Sequence, residues 1–249
     1  MPSFYDRYMQ GFHQEVYDDL LAMQEYMYDP PIYEEALLVM RETIRRVRTN
    51  IELLVAHLHE MGYLFHKGGF WENFPPEQRT RLERDYPIFQ PPPPQTSEHI
   101  ALLEHLTGPL PLSLKCFFEE VGSVNLIGLF PSANERTYGS VLDPLCVDSV
   151  EIALQQVTSL RNLGLWEEEP VLILSADRFH KYGSSGAGSY NIALPCKAVD
   201  APFLDEPHQT TFVNYLRICF QWGGFPGLQV ENRLSPDEFA LLTKDLLRF

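Results

Sequence analysis

The sequence predicts an α+β protein, in which a mixed or mostly antiparallel sheet packs against helices behind an N-terminal α-helical hairpin. Three observations predict it. Leu37, Met40, Ile44, Val47, Ile51, Leu54, Leu58 and Met61 alternate steps of three and four, the heptad seam of one long helix. Gly108 to Phe130 reads as a sharp start, a short helix, a glycine stop and a strand in unbroken succession. Val171 to Leu174 is a short continuous apolar run, and Tyr190 to Leu194 is its expected hairpin partner across a glycine-rich loop.

Taken in chain order, Tyr5, Met9, Phe12, Val16, Leu20, Met23 and Met27 lie on one helical stripe, which Asp29-Pro30-Pro31 ends. The short turn into the heptad helix favours an antiparallel hairpin over residues 1–65. Any seam it leaves uncovered offers a surface to a second copy of the chain. Arg41, Arg45, Arg46 and Arg48 stand among Glu42 and Glu52 one turn away, which reads as a solvated, internally paired face.

Residues 66–96 lose the heptad and gain prolines, the composition of a connector, with Pro91 to Pro94 as a polyproline II spacer. Phe70, Trp71 and Phe74 are too apolar for a free linker, so this segment is expected to lie against a neighbouring unit. Residues 97–249 then form the α+β domain. Ser97 is placed to cap a helix with Ile100, Leu103 and Leu106 on its inner edge. Pro111 opens the next helix, Leu114, Phe117, Phe118 and Val121 share its apolar face, and Gly122 supplies the left-handed stop before a strand over Val124 to Phe130.

Ser140 to Val147 reads as an edge or bulged strand interrupted at Asp143-Pro144. Asp148 and Glu151 have capping-box spacing at the head of a helix that Gly164 ends. Trp166 to Pro170 is an acidic turn. Thr210 to Trp222 is helical, with Phe212, Val213, Leu216, Cys219 and Phe220 inward, and Ser235-Pro236-Asp237-Glu238 is a capping box for the last helix.

The charge balance demotes whole classes of function. With 19 basic against 34 acidic residues the chain carries −15, a field that repels nucleic-acid phosphates and anionic lipid headgroups and favours a basic protein partner. Neither a basic leader with an apolar run nor an apolar window of about 18 to 20 residues occurs, so the expectation is a cytoplasmic protein that does not engage a membrane. Cys116, Cys146, Cys196 and Cys219 stand far apart with no C-x-x-C pair and read as buried free thiols.

Three local patterns resemble the SUKH superfamily, which includes the fungal cell-wall assembly regulator and many bacterial immunity proteins. Leu110-Pro111 leading into Leu114 and Phe117-Phe118 is similar to the family's leucine-proline entry to a helix that ends near a glycine, here Gly122. Val171 to Asp177 with Gly188, Tyr190 and Ile192 is similar to its paired strands, and Thr211-Phe212 to Leu216 resembles its closing helix. The resemblance covers roughly Ser97 to Trp222. The family's Asn-Gly pair is replaced here by Gly122-Ser123-Val124-Asn125, and the N-terminal hairpin lies outside the common core, which points to a divergent bacterial branch.

No pattern spells out catalysis, a cofactor or a metal. His57 and His59 point about 200° apart on a helix and cannot share an ion, and His57 with Glu60 makes only two ligands. The glycines of the loop at 183–189 are followed by a strand and not by a helix N-terminus, so they read as a hairpin turn and not a phosphate loop. Ser184 or Ser185 with His180 and Asp177 has the residue types of a hydrolytic triad but lacks the Gly-x-Ser-x-Gly elbow.

The leading expectation is a non-enzymatic protein-binding module, which the SUKH resemblance implies to be an immunity-type inhibitor of a basic toxin, with contacts at Trp166, Glu167, Glu168 and Glu169 and at Asp205 and Glu206. One alternative is a structural or regulatory homodimer on the Leu37 to Met61 seam. The other is a small-molecule-binding protein or enzyme using strand-end polar residues near Asp143, Asp177 and Tyr190.

Overall fold

Gly11, at φ +99°, divides the first expected helix, because an L-residue with a side chain is disfavoured in that left-handed conformation. The computed structural model describes residues 3–67, 74–131, 142–165, 170–182, 188–232 and 234–249. In it the apolar stripe from Tyr5 to Met27 is carried by α1 (Phe4–Met9), α2 (His13–Ala22) and a 3₁₀ turn at Gln24–Tyr28. The heptad helix forms as expected: α3 runs over Ile32–Glu60, and Gly62, at φ +72°, follows its end.

The seam of α3 is filled by the same chain. Met40, Ile44, Val47, Ile51, Leu54 and Leu58 are all buried, covered by α1 and the 3₁₀ turn towards one end and by α6 (Leu112–Glu120) and α9 (Pro236–Leu242) elsewhere. Each such side chain taken from water stabilises the fold by roughly 1.5–3 kcal/mol, so little apolar seam is left over for a second copy. Asn50 lies fully buried on the same helix. Its Nδ2 donates to the Leu247 carbonyl (2.9 Å) and its Oδ1 accepts from the Leu247 N–H (2.6 Å), which pins the C-terminal segment to α3. Glu42 binds Arg45 and Arg46, Arg48 binds Glu52, and Arg41 reaches Glu119, the internal pairing that the sequence suggested. The face is not solvated throughout, because Glu42 is buried and Arg46 lies over the Tyr8 ring and donates to the Arg248 carbonyl.

The described strands are short and pair antiparallel throughout. β1 (Leu64–Phe65) pairs with β4 (Gly128–Leu129), β3 (Ser123–Asn125) lies between β2 (Phe89–Gln90) and β5 (Cys146–Val147), and β6 (Val171–Ser175) forms the expected hairpin with β7 (Tyr190–Ala193). The proline-rich stretch therefore contributes structure of its own, β2 and α4 (Pro76–Asp85), besides joining its neighbours. Gly122, at φ +86°, makes the docking of β2 possible: a Cβ there would overlap the Gln90 carbonyl oxygen and crowd Pro91 and Pro92.

Around these strands lie α5 (Thr96–Thr107), α6, α7 (Val150–Asn162) and α8 (Phe212–Gln221). One continuous apolar core runs from Tyr8 and Leu58 of the N-terminal helices through Phe117, Phe118 and Leu174 to Phe212, Leu216 and Phe225. Among the described residues no helix is long and apolar enough to cross a membrane.

Candidate functional site

The run Val124 to Phe130, expected as one strand, is broken by its own asparagine. The Asn125 Oδ1 accepts the Ile127 N–H (3.1 Å), a side-chain turn that competes with the ladder and redirects the chain from β3 into β4, which belongs to a different sheet. The bend leaves Asn125, Ile127 and Cys146 on one side of β3 and β5. Around them a cavity of about 520 Å³ is walled by Asp148 just before α7 and Gln156 midway along it, by Ile173 of β6 and Ala176 just after it, by His180 and Lys181 on a 3₁₀ turn (His180–Tyr182) and by Ser189; Leu82 of α4 and Tyr86 at its end complete the lining.

Asp148 reaches this position because it is not the helix cap. Ser149 is the N-cap of α7, its Oγ accepting the Ile152 N–H (3.4 Å), while the Asp148 N–H donates to the Leu174 carbonyl (2.8 Å) and ties β5 to β6. The expected capping role of Asp148 is thus taken by its neighbour. Burial pushes the Asp148 carboxyl up to about 7, against the opposing pull of a Gln156 hydrogen bond and the Lys181 charge. The Gln156 Oε1 is itself buried and has no hydrogen-bond partner. Such an orphan acceptor costs about 1–3 kcal/mol unless something outside the chain satisfies it.

The strand-end residues proposed from sequence are brought close by, but their polar atoms are spent on one another. Asp143, almost fully buried, accepts from Lys181 Nζ at 2.6 Å and from the Tyr190 hydroxyl at 2.9 Å, and the Lys181 ammonium lies 4.9 Å from the centre of the Tyr190 ring. Burial and the Asp143 charge hold the Tyr190 hydroxyl firmly protonated. Asp177 accepts the Phe179 and His180 N–H groups and pairs with the His180 ring, so it closes the 3₁₀ turn. Burial also pushes the Cys146 thiol up to about 12, which keeps it in its unreactive protonated form.

Of the expected contact residues, Trp166, Glu167, Glu168 and Glu169 lie outside the described residues, as do Ser184 and Ser185. Asp205 is exposed, at φ +63°, and accepts from Asn191 Nδ2 (3.0 Å). Glu206 points inward: only 2% exposed, it accepts from the backbone N–H groups of His208 (2.7 Å) and Thr210 (2.6 Å) and from the His208 ring, and so shapes its own loop. His57, His59 and His66 do not come together as a cluster: His59 packs on the Phe65 ring, and His66 Nε2 bonds the Tyr86 carbonyl.

A larger cleft of about 660 Å³ opens beside His13, Arg217 and Phe249. Its central cation, Arg217, donates to the Phe249 carbonyl, Gln14 and Asn214 and lies over the Tyr17 ring, a clamp between α2, α8 and the C-terminal segment that leaves its buried Nη2 without a partner. The Asp148 cavity differs in setting its orphan atom, an acceptor, beside a carboxyl group on a predominantly apolar lining.

No family model matches the chain, and neither the curated proteins nor the solved structures searched contain a match. Asn125, Asp148 and Gln156 were not singled out from sequence as site residues. The available signals were an asparagine inside an apolar run, and two adjacent cap-forming residues, Asp148-Ser149, where a helix start needs one.

Proposed function

We propose that this protein is a non-enzymatic small-molecule-binding protein whose ligand enters the cavity between α4, α7 and the His180–Tyr182 turn. The observation that carries the reading is the Gln156 Oε1, a buried acceptor without a partner, at the wall of a predominantly apolar cavity next to the Asp148 carboxyl, which burial pushes up to about 7. A few convergent polar groups on an apolar lining are the usual anatomy of a ligand site. Against an enzyme built on a cysteine nucleophile stands the Cys146 thiol, which burial keeps protonated. Of the alternatives drawn from sequence this is the small-molecule reading, with Asp143, Asp177 and Tyr190 as the supporting shell and Asn125, Asp148 and Gln156 as the contacts.

A ligand-observed NMR screen of a fragment library tests it. Hits that compete for one site and disappear in Ala176→Phe, which fills the cavity, support the reading. An empty screen, or hits that survive the substitution, overturns it.

The protein-binding reading implied by the SUKH resemblance stands second, with the −15 charge as its supporting observation. It predicts association with a basic polypeptide that weakens steeply with salt, because exposed charge pairs are screened. It draws no support from Glu206, whose carboxylate is turned into the protein.

A further inference from the structure

We infer that the ligand of this cavity is an organic cation, a primary amine or amidine on an apolar body, whose N–H groups are shared between the Asp148 carboxylate and the Gln156 Oε1. This rests on the small-molecule reading above and adds the chemical class.

The unpaired charge on the wall decides the sign of the ligand's charge. Asp148 lines the cavity, Gln156 Oε1 is a buried acceptor without a partner in the same wall, and the Asn125 Oδ1 is already committed to the Ile127 N–H. The strongest cation on the wall, Lys181, is fully buried and bound to Asp143 at 2.6 Å, so it has no free charge to offer an anion. Asn125 and Ser189 add only neutral polar groups to the lining, so an anionic ligand would meet Asp148 with no unpaired positive charge to offset it, and a buried unpaired charge is costly. A cation meets a carboxylate and a carbonyl oxygen, both of which gain from an N⁺–H donor. Leu82, Ile127 and Ile173, with the Tyr86 ring at the rim, offer the apolar body a surface. The net charge of −15 favours the approach of cations in general.

Binding is coupled to a proton. The titratable or charged groups around Asp148 are Lys181 and His180 on the 3₁₀ turn, Cys146 on β5, and Tyr86 and Asp85 at the end of α4. Burial holds the Cys146 thiol and the Tyr86 hydroxyl protonated and pushes the Asp148 carboxyl up to about 7, so Asp148 changes charge near neutrality. An arriving ammonium replaces the Asp148 proton. With the carboxyl titrating at about 7, the ionised fraction rises from about one in eleven at pH 6 to about ten in eleven at pH 8. The affinity for a cation therefore rises about tenfold across that interval.

The experiment is isothermal titration calorimetry of the full chain with phenethylamine, phenethyl alcohol and phenylacetate, which share one apolar body, at pH 6 and pH 8. Phenethylamine is expected to bind at least tenfold tighter than the alcohol at pH 8 and to lose about tenfold at pH 6, with phenylacetate weakest. Asp148→Asn should remove both the preference and the pH dependence. Gln156→Leu, which keeps the carboxylate, should weaken the amine at least threefold and leave phenylacetate unchanged, and it serves in place of Asp148→Asn if that variant does not fold. Equal or tighter binding of the alcohol or phenylacetate, or an amine preference that persists in the variants, overturns the cation assignment and leaves the pocket standing. If none of the three binds, the fragment screen decides: hits lost in Ala176→Phe that include no cation overturn this inference alone, and an empty screen overturns the pocket with it.

Discussion

Two aspartates, Asp200 and Asp148, divide the molecule between structure and function. Asp200 is 2% exposed and accepts from the Ser113 hydroxyl (2.6 Å), the Tyr17 hydroxyl (2.6 Å) and the Val213 N–H (3.0 Å), joining α6, α2 and the head of α8 in one knot. Asp148 has a Gln156 contact and an open cavity. Burial pushes both carboxyls upward, and at Asp200 the hydrogen bonds from Ser113, Tyr17 and the Val213 and Ala201 backbone oppose it. Burial and a shifted pKa are therefore common to both sites and cannot tell them apart. The difference lies in saturation: Asp200 is surrounded by donors from its own chain, and Asp148 faces space beside an orphan oxygen.

The largest test of that contrast removes the saturated group. Asp200→Ala leaves the Val213 N–H and two hydroxyls without their shared acceptor, and should cost about 4 kcal/mol in urea-induced unfolding, as expected for breaking a buried network. A loss under about 1 kcal/mol would erase the distinction between the two sites.

Asp148→Asn should act with the opposite sign and depend on pH. The folded carboxyl titrates at about 7 and an unfolded aspartate near about 3.9, so between those values the folded state holds the extra proton and stability declines as pH rises. Below about pH 4 both states are protonated and the penalty vanishes. Above 7 it is complete. The variant, neutral at every pH, should match the wild type near pH 4 and exceed it by about 2–4 kcal/mol at pH 8, read from the midpoint of chemical unfolding at the two pH values. A gain of that size from deleting one group would mark Asp148 as a residue that costs stability, the pattern expected of a binding group and not of a structural one. A loss at pH 8 would place it with Asp200.

The smallest change sharpens the comparison from the backbone. Gly122→Ala introduces a Cβ against the Gln90 carbonyl and strains a left-handed residue, at about 2 kcal/mol. Because β2 flanks β3, whose Asn125 lies on the cavity wall, the substitution should lower the melting temperature and also weaken whatever ligand the NMR screen identifies. Full-strength binding in a destabilised protein would show that β2 supports the fold without shaping the site.

The local chemistry of the chain was enough to reach much of the fold. The 3.6-residue stripe of α3, the Ser235 capping box with its reciprocal Glu238 contacts and the Gly122 stop are each specified by neighbours a few residues apart, and the β6–β7 hairpin by two runs on either side of one loop. Where one residue could serve two local roles, sequence reasoning misplaced it. Asp148 and Ser149 are both good caps, and the Leu174 carbonyl, which holds the Asp148 backbone against β6, lies far along the chain. Asn125 reads as a polar interruption of a strand until the second sheet gives the redirected chain somewhere to go.

What the sequence by itself determined is the alternation of helix, turn and strand and the acidic charge, because propensity, capping, apolar period and composition act over short separations or none. Only the tertiary structure decided that the α3 seam closes on its own chain, that Asp143, Lys181 and Tyr190 satisfy one another, and that Asp148 and Gln156 are left facing a cavity. The saturation of a polar group depends on every atom within about 3 Å of it, and most of those atoms arrive from distant parts of the chain.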